Sequence, residues 1–357
     1  MRDLSWLDIN VTNAFIASAN FLNKSSLFIT GGTGFFGRSL LRRIAQINQH
    51  SPLISSAVSV LTRDPSSFLK KFPEFENEKW LVFRKGDVLR GLDALVDGGS
   101  NYTHVIHAAA DSTLGPKMPL LDRFDQIVLG TRNTLDFSVK VNAKKFLLTS
   151  SGGIYGSQPS NMESFSETHL GMPDPLDPLN TYSVAKRLAE HLCCLYSEKY
   201  PLEVVIARCF AFVGPDLPLD VHFAIGNFIR DVLSGQSIEI NGDGTPVRSY
   251  LYQDDLADWL LQLVNKGRSR EAYNVGSDQA LSILDLAKLV KSTLSSDVAI
   301  EVRDKSNGDI SIRNKYIPNI DKISKELGVK INVPLMEAIQ LTAKQHMSKQ
   351  KPENNYV

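Results

Sequence analysis

Tyr182 and Lys186, four residues apart in Tyr182-Ser183-Val184-Ala185-Lys186, share one face of any helix that carries them. An ammonium beside a phenol lowers the phenol's pKa from its usual value of about 10, so the Tyr can act as acid or base near neutrality. Upstream, Ser150-Ser151 offers a hydroxyl that can hydrogen-bond the same reacting oxygen. Near the N-terminus, Gly31-Gly32-Thr33-Gly34-Phe35-Phe36-Gly37 has the glycine spacing of a turn that lets a backbone approach a pyrophosphate. An acid–base Tyr, a hydroxyl and a hydride carrier together indicate redox chemistry at a carbinol or carbonyl carbon.

A sheet has to position these groups. The chain of 357 residues is long enough for one large α/β domain and a smaller one. From Leu27 onward apolar strands alternate with amphipathic helices. Strands are expected at 27–30, 57–62, 80–85, 104–109, 145–150 and 203–208, with helices at 39–47, 122–141 and 181–200. The alternation predicts a doubly wound parallel sheet whose strand ends open on one crevice.

Beyond Gly214-Pro215 the elements shorten: a helix at 224–234, a strand at 237–240, a turn at 241–246, a helix from Gln253, a strand or turn at 272–275 and a helix at 282–295. The organisation reads as an N-terminal helical extension at 1–26 and a core with the catalytic residues at 27–213. A mainly substrate-binding lobe follows at 214–345, then a polar tail at 346–357, frayed from Gln345. In the extension Leu4, Leu7, Val11, Phe15, Ala19 and Leu22 fall roughly on one face, suited to capping the sheet; a dimer contact is the alternative.

Composition narrows the class. Lys plus Arg number 39 and Asp plus Glu 39, so nothing favours nucleic acid or a membrane surface as partner. No apolar run is long enough to span a membrane, and the start lacks a signal peptide's basic-then-apolar order, so a cytoplasmic enzyme is expected. The three cysteines, including the neighbours Cys193 and Cys194, lack metal-ligand spacing and read as buried reduced thiols, with no metal.

Within the glycine turn, Gly31 suits the tight bend, Gly34 the approach of the pyrophosphate and Gly37 the packing of helix on strand. The second strand ends Val60-Leu61-Thr62-Arg63-Asp64. Thr62 stands where NAD enzymes usually carry an acid for the ribose hydroxyls, and Arg63 suits a 2′-phosphate, which favours NADP over NAD. The alternative makes Arg63 a solvated turn residue and puts Asp64 on the ribose. Asp87, after the third strand, is placed for the adenine edge.

Thr30–Gly37, Gly86-Asp87-Val88, His107-Ala108-Ala109, Ser150–Gly156, Tyr182–Lys186, Ala207–Pro215 and the run 242–255 occur in one order. With that order the chain, from about Leu27 to Gly328, resembles the extended short-chain dehydrogenase/reductase family, in its NAD-dependent epimerase/dehydratase branch acting on nucleotide sugars. The resemblance implies a Rossmann sheet with a smaller C-terminal α/β substrate lobe. It assigns catalysis to Ser151, Tyr182 and Lys186, with Ser150 as the alternative serine. Tyr182 would move the proton at the sugar oxygen; Lys186 would bind the nicotinamide ribose and depress the phenol's pKa. It assigns the cofactor to Gly31, Gly34, Phe35, Phe36, Gly37, Arg63, Asp87, Val88, Ala108, Ala109, Tyr182 and Lys186, and the nucleotide-sugar substrate to Ser151, Asn227 and Arg248. Arg313 and Tyr316 lie where a further phosphate ligand often stands. His107 reads as a strand-end residue lining the cofactor crevice; His222 touches the sugar or caps a helix. A homodimer through the helices at 122–141 and 181–200 is the analogous assembly.

Departures from the pattern carry information. The branch's dehydratases and decarboxylases place acidic residues just before the Val-Tyr-Gly segment, where this chain has Gly152 and Gly153. Glycine moves no proton, so dehydration is disfavoured unless Asp111, Glu163 or Glu167 substitutes. Ile127 and Ala211 replace two family asparagines. Three functions remain in view. Reduction of a 4-keto-6-deoxy nucleotide sugar by NADPH, as in deoxysugar or polysaccharide biosynthesis, leads; a C4 epimerase with tightly bound NAD is second; a non-catalytic dinucleotide-binding protein is third.

Overall fold

The computed structural model describes residues 13–54, 57–90, 92–96, 101–110, 115–303 and 315–350. Helix α1 (Asn13–Leu22) leads into β1 (Leu27–Thr30), α2 (Phe35–His50), β2 (Val58–Thr62), α3 (Pro65–Lys71), β3 (Leu81–Lys85), β4 (His104–His107), α4 (Leu120–Lys140), β5 (Lys145–Ser151), α5 (Thr181–Lys199) and β6 (Glu203–Cys209). Next come β7 (Phe212–Val213), α6 (Ala224–Leu233), β8 (Ile238–Asn241), β9 (Val247–Arg248), β10 (Leu251–Tyr252), α7 (Gln253–Lys266) and β11 (Glu271–Val275). The chain continues with β12 (Leu281–Ser282), α8 (Ile283–Thr293), β13 (Ile300–Arg303), α9 (Asp321–Leu327) and α10 (Leu335–Gln350).

The central sheet has seven parallel strands in the order β11-β6-β5-β4-β1-β2-β3. Its direction of winding reverses between β1 and β4, so the crevice for a ligand opens beyond their C-terminal ends. The inner strands β1, β2 and β5 are buried along their whole length, as expected where helices cover both faces. Helices α1, α2 and α7 pack together on one face and α4 with α5 on the other. Two buried guanidiniums hold α2 in place: Arg43 pairs with Asp258 of α7 at 2.7 Å, and Arg42 with Asp216 at 2.8 Å.

The smaller lobe packs α6, α8 and α10 around Phe228, Ile229, Ile238, Leu286 and Ile339. Residues past 214 do not all belong to it. Helix α7 lies on the main sheet and β11 is that sheet's edge strand, in register with β6. The stretch read as a strand or turn at 272–275 therefore completes the Rossmann core. Helix α10 carries ordered turns through Gln350, beyond the point at which the tail was expected to fray. In the N-terminal extension α1 packs on α7, with Phe21 edge-on to His104 at the start of β4. Leu4, Leu7 and Val11, and the side chain of Phe15, lie outside the described residues. Cys193 and Cys209 are buried free thiols, and Cys194 is partly exposed.

Candidate active site

The glycine turn joins β1 to α2 as expected, and each glycine has its own reason. Gly31 has φ 72°, and a Cβ there would lie 2.3 Å from the Ala108 carbonyl oxygen. A Cβ on Gly37 would fall 2.2 Å from the backbone of Gly32, so helix and turn touch without side chains between them. Gly34 differs: a Cβ there would meet only Gly31 O, at 3.4 Å. Gly34 is exposed, and it caps α2 without a side-chain hydrogen bond. The first N–H groups of α2 thus face an open cradle, which suits a pyrophosphate. Phe36 packs edge-on to Phe212, and Phe35 bridges the main core and the lobe.

Around this cradle the other expected cofactor residues fall into place unevenly. Ala108 and Ala109 are partly exposed after β4. Asp87 uses one carboxylate oxygen to accept the Leu89 N–H at 2.9 Å. Val88 is buried against Gly130 of α4, and its carbonyl accepts from Asn133. Arg63 is exposed, with no hydrogen bond or ion pair to a described residue. Asp64 has a local task instead: its carboxylate accepts the Ser67 N–H at 3.0 Å and caps α3. The donor set of uncapped amides, an open glycine and an uncommitted guanidinium fits a dinucleotide.

His107 does not line the crevice. It is buried, linking Thr30 at 2.7 Å to Thr131 of α4 at 3.2 Å. Thr131 donates to the Ile127 carbonyl at 2.6 Å, so Nε2–H donates to Thr131, and Nδ1 accepts from Thr30. Burial, with Lys186 nearby, drops its pKa to about 3. It is a neutral brace between strands and helix.

Strand β5 runs one residue further than expected and sets Ser151 opposite Cys209 of β6. Ser151 Oγ accepts the Gly153 N–H at 3.1 Å, which leaves its proton for the phenol of Tyr182. Ser150 is engaged elsewhere, donating to Glu190 at 2.5 Å in a buried network with Arg208. Arg208 in turn donates to Tyr155 Oη at 3.0 Å, which donates to Asn274 at 2.8 Å. This network braces the floor of the site and ties down the alternative serine.

Lys186 is one helical turn from Tyr182, and its ammonium donates to the Thr149 carbonyl at 2.6 Å, 6.0 Å from the Tyr182 ring centroid. Burial lowers the pKa of Lys186 to about 8. The phenol itself moves up, not down: burial outweighs the lowering effects of the facing Ser151 hydroxyl and of Arg123. The expected depression by Lys186 is thus not what the geometry gives, because the ammonium is turned to the strand backbone. Arg123 of α4 is the nearer cation, its guanidinium 4.6 Å from the ring centroid. The sequence signalled it only faintly, as a cation near a helix N-terminus, against the dipole.

The substrate side is less assembled. Asn227 sits in the first turns of α6 and accepts from Arg230 at 3.2 Å; no hydrogen bond links it to Ser151, Tyr182 or Lys186. Arg248 lies in β9, donating to Val247 O, beside Tyr250. His222 is exposed and packs on Phe223, and its pKa is lowered by partial burial and then by Arg123. Gly152 is covered: a Cβ there would meet Phe210 Cζ at 2.6 Å and Tyr316 Oη at 2.7 Å. Of the substitute acids, Glu167 accepts the Asn274 N–H, and Glu163 is exposed. Asp111 and Arg313 lie outside the described residues. Among the described residues no cluster of His, Cys, Asp or Glu could hold a metal ion, and no helix is long and apolar enough to cross a membrane.

Comparison with known proteins gives a consistent picture. The sequence profile of the NAD dependent epimerase/dehydratase family matches residues 27–276. UDP-glucuronic acid decarboxylase 6 of Arabidopsis thaliana is 28% identical over 330 residues, 90% of this chain and 88% of that protein. UDP-glucuronic acid decarboxylase 1 of Xenopus tropicalis is 27% identical, over 90% of this chain and 72% of that protein. Among solved structures, UDP-glucose 4-epimerase of Thermotoga maritima superposes with a TM-score of 0.76 at 23% identity, covering 91% of this chain and 100% of that one. The dTDP-glucose 4,6-dehydratase of Bacillus anthracis in complex with NAD gives 0.76 at 21%, over 91% and 97%.

Proposed function

The chain belongs to the NAD-dependent epimerase/dehydratase family, an enzyme family of the extended short-chain dehydrogenase/reductase type, and from that premise we propose that it reduces a 4-keto-6-deoxy nucleotide sugar with NADPH. The observation that carries this reading is the pair Gly152 and Gly153. The positions from which dehydratases and decarboxylases of the branch present carboxylates hold none here, and a Cβ at either would collide with Phe210, Tyr316 or Ser183. Glu190 and Glu167 are engaged by Arg208 and by the Asn274 N–H. With no carboxylate at 152 or 153, the chemistry that Ser151, Tyr182 and Lys186 support is transfer of a hydride and a proton at one carbon.

In this mechanism the bound nicotinamide supplies the hydride. Ser151 hydrogen-bonds the C4 carbonyl oxygen, and Tyr182 delivers a proton to it as the oxygen gains charge. Lys186 would hold the nicotinamide ribose, its ammonium positioned by the Thr149 carbonyl. The N-terminus of α2 and Gly34 would hold the pyrophosphate, Arg63 the 2′-phosphate and Asp87 the adenine edge, with Phe35, Phe36, Val88, Ala108 and Ala109 shaping the crevice. Asn227 and Arg248 take the diphosphate of the sugar nucleotide, Arg248 through its donor fork.

The test is absorbance at the reduced nicotinamide band during incubation with dTDP-4-keto-6-deoxyglucose. Stoichiometric NADPH loss, abolished in Tyr182→Phe, is expected; full activity in Tyr182→Phe would sink the reading. A C4 epimerase with tightly bound NAD uses the same triad and is favoured by the likeness to UDP-glucose 4-epimerase. Release of near-stoichiometric NAD on denaturation, with sugar interconversion and no net NADPH consumption, would select it. Exposed Leu121 and Leu129 on α4 and Leu188 and Leu195 on α5 support a homodimer through these helices, which a monomeric mass in sedimentation would refute.

A further inference from the structure

Arg123 has no part in the roles above, yet it touches their centre. Its guanidinium lies over the face of the Tyr182 ring, 4.6 Å from the centroid, nearer than the Lys186 ammonium at 6.0 Å. The turn at Gly115–Lys117 packs against it: a Cβ on Gly115 would come within 3.3 Å of Arg123 Nε. Its charge also reaches His222, in the loop before α6. The guanidinium therefore stands among the Tyr182 ring, the Gly115–Lys117 turn and the loop that carries His222.

We propose that Arg123 is a positioning residue for Tyr182, stacked on the ring so as to hold the phenol toward Ser151 and to stabilise its ionised form. A cation over a neutral ring is attracted by the ring's quadrupole. Over a phenolate it also meets a full negative charge, so the stack strengthens as the proton leaves. Lys186 is less able to do this. Its ammonium is directed to the Thr149 carbonyl, and burial brings its pKa to about 8. A guanidinium stays charged across the whole working range. The groups facing Tyr182 are Ser151 from β5, Cys209 from β6, Lys186 from its own helix and Arg123 from α4, with His222 beyond Arg123. Cys209 is pushed up to about 12 and stays a neutral thiol. Above pH 8 Arg123 thus remains charged beside the phenol while Lys186 loses its proton.

The test follows the ¹³Cζ resonance of Tyr182, assigned by its loss in Tyr182→Phe, through a pH titration of the wild type, Arg123→Met and Arg123→Lys. Arg123→Met should delay ionisation by about one pH unit, a tenfold change in the equilibrium, and Arg123→Lys should recover part of it. Should Arg123→Met fail to fold, Arg123→Gln keeps a planar polar head without the charge and serves the same comparison. An identical titration in wild type and uncharged variant overturns the proposal. The inference rests on Tyr182 as the acid–base group, and the limb of the pH–kcat/KM profile governed by Tyr182 should move to higher pH in the same variant. The resonance needs no substrate, so the two readings fail separately: a shifted resonance with full activity in Tyr182→Phe refutes the catalytic reading, an unshifted one refutes the stack.

Discussion

The proposed preference for NADPH rests on one side chain just past β2, Arg63. Arg63 is exposed and has no hydrogen bond or ion pair to a described residue, so the Tm of Arg63→Ala should stay unchanged. It removes a guanidinium free to pair with a 2′-phosphate. A charge-assisted hydrogen bond of that kind contributes roughly 1.5–3 kcal/mol. At an exposed corner, solvent screening places it near the lower end, so the NADPH dissociation constant should rise by about tenfold. NADH carries no 2′-phosphate and should bind as before. The competing reading puts Asp64 on the ribose, but its carboxylate already accepts the Ser67 N–H as the cap of α3. Asp64→Ala should accordingly cost about 1 kcal/mol of stability and leave the NADPH/NADH ratio alone. Titration calorimetry of both cofactors against the three proteins decides the matter. Equal losses of NADPH and NADH in Arg63→Ala, or a selective loss of NADH in Asp64→Ala, would refute the reasoning.

Two further expectations follow from packing and burial. Gly37→Ala drives a methyl to 2.2 Å from the Gly32 backbone and should destabilise the protein by roughly 1–3 kcal/mol, whereas Gly34→Ala should leave the melting temperature alone and weaken dinucleotide binding; similar effects of the two on the melt would mean the cradle is misplaced. Lys186 has its pKa lowered from 10.5 to about 8, so between these values the unfolded chain binds more protons and stability must rise with pH. Lys186→Met should remove that rise, about 3 kcal/mol across the window, and parallel urea-melt slopes for the two proteins would show that the lysine is not desolvated.

Most of the sheet was legible because its strands are buried on both faces. Leu27–Thr30 is a continuous apolar run bounded by the glycine turn, and it folds as a fully buried strand with those ends. Limits set by pairing were less visible. Strands β5 and β6 each extend one residue further because Ser151 and Cys209 pair with one another, and register is a property of two strands rather than of either sequence. Helix α3 is absent from the sequence reading although Asp64-Pro65 carries a cap followed by proline at the first helical position; Asp64 enters that reading only as the alternative ribose ligand, which leaves its capping role aside. The Tyr182–Lys186 pair stands out in the sequence by spacing, but the partners of Lys186 do not. A backbone carbonyl such as that of Thr149 has no sequence signature, and Arg123 reaches Tyr182 only because α4 and α5 pack side by side.

The choice among reactions turns on positions that relatedness does not decide. A glycine turn, a parallel sheet and a Tyr–Lys pair serve reduction, epimerisation and the first step of dehydration alike, since each begins or ends with a hydride at one carbon. What separates them is a second proton-transfer group beside the triad. Here the space at Gly152 is taken by Phe210 and Tyr316, whose rings lie 4.6 Å apart, and they adjoin the buried Ile154, Tyr155 and Phe165. A carboxylate inserted at 152 would have to displace that aromatic pair and sit against apolar surface, where burial raises a carboxyl's pKa and weakens it as an acid. At 153 a side chain would strike Ser183 Oγ at 2.6 Å, with Ser151 Oγ at 3.3 Å, disturbing the hydroxyl that faces Tyr182. A carboxylate at 152 or 153 therefore requires the wall behind Ser151 and Tyr182 to be rebuilt.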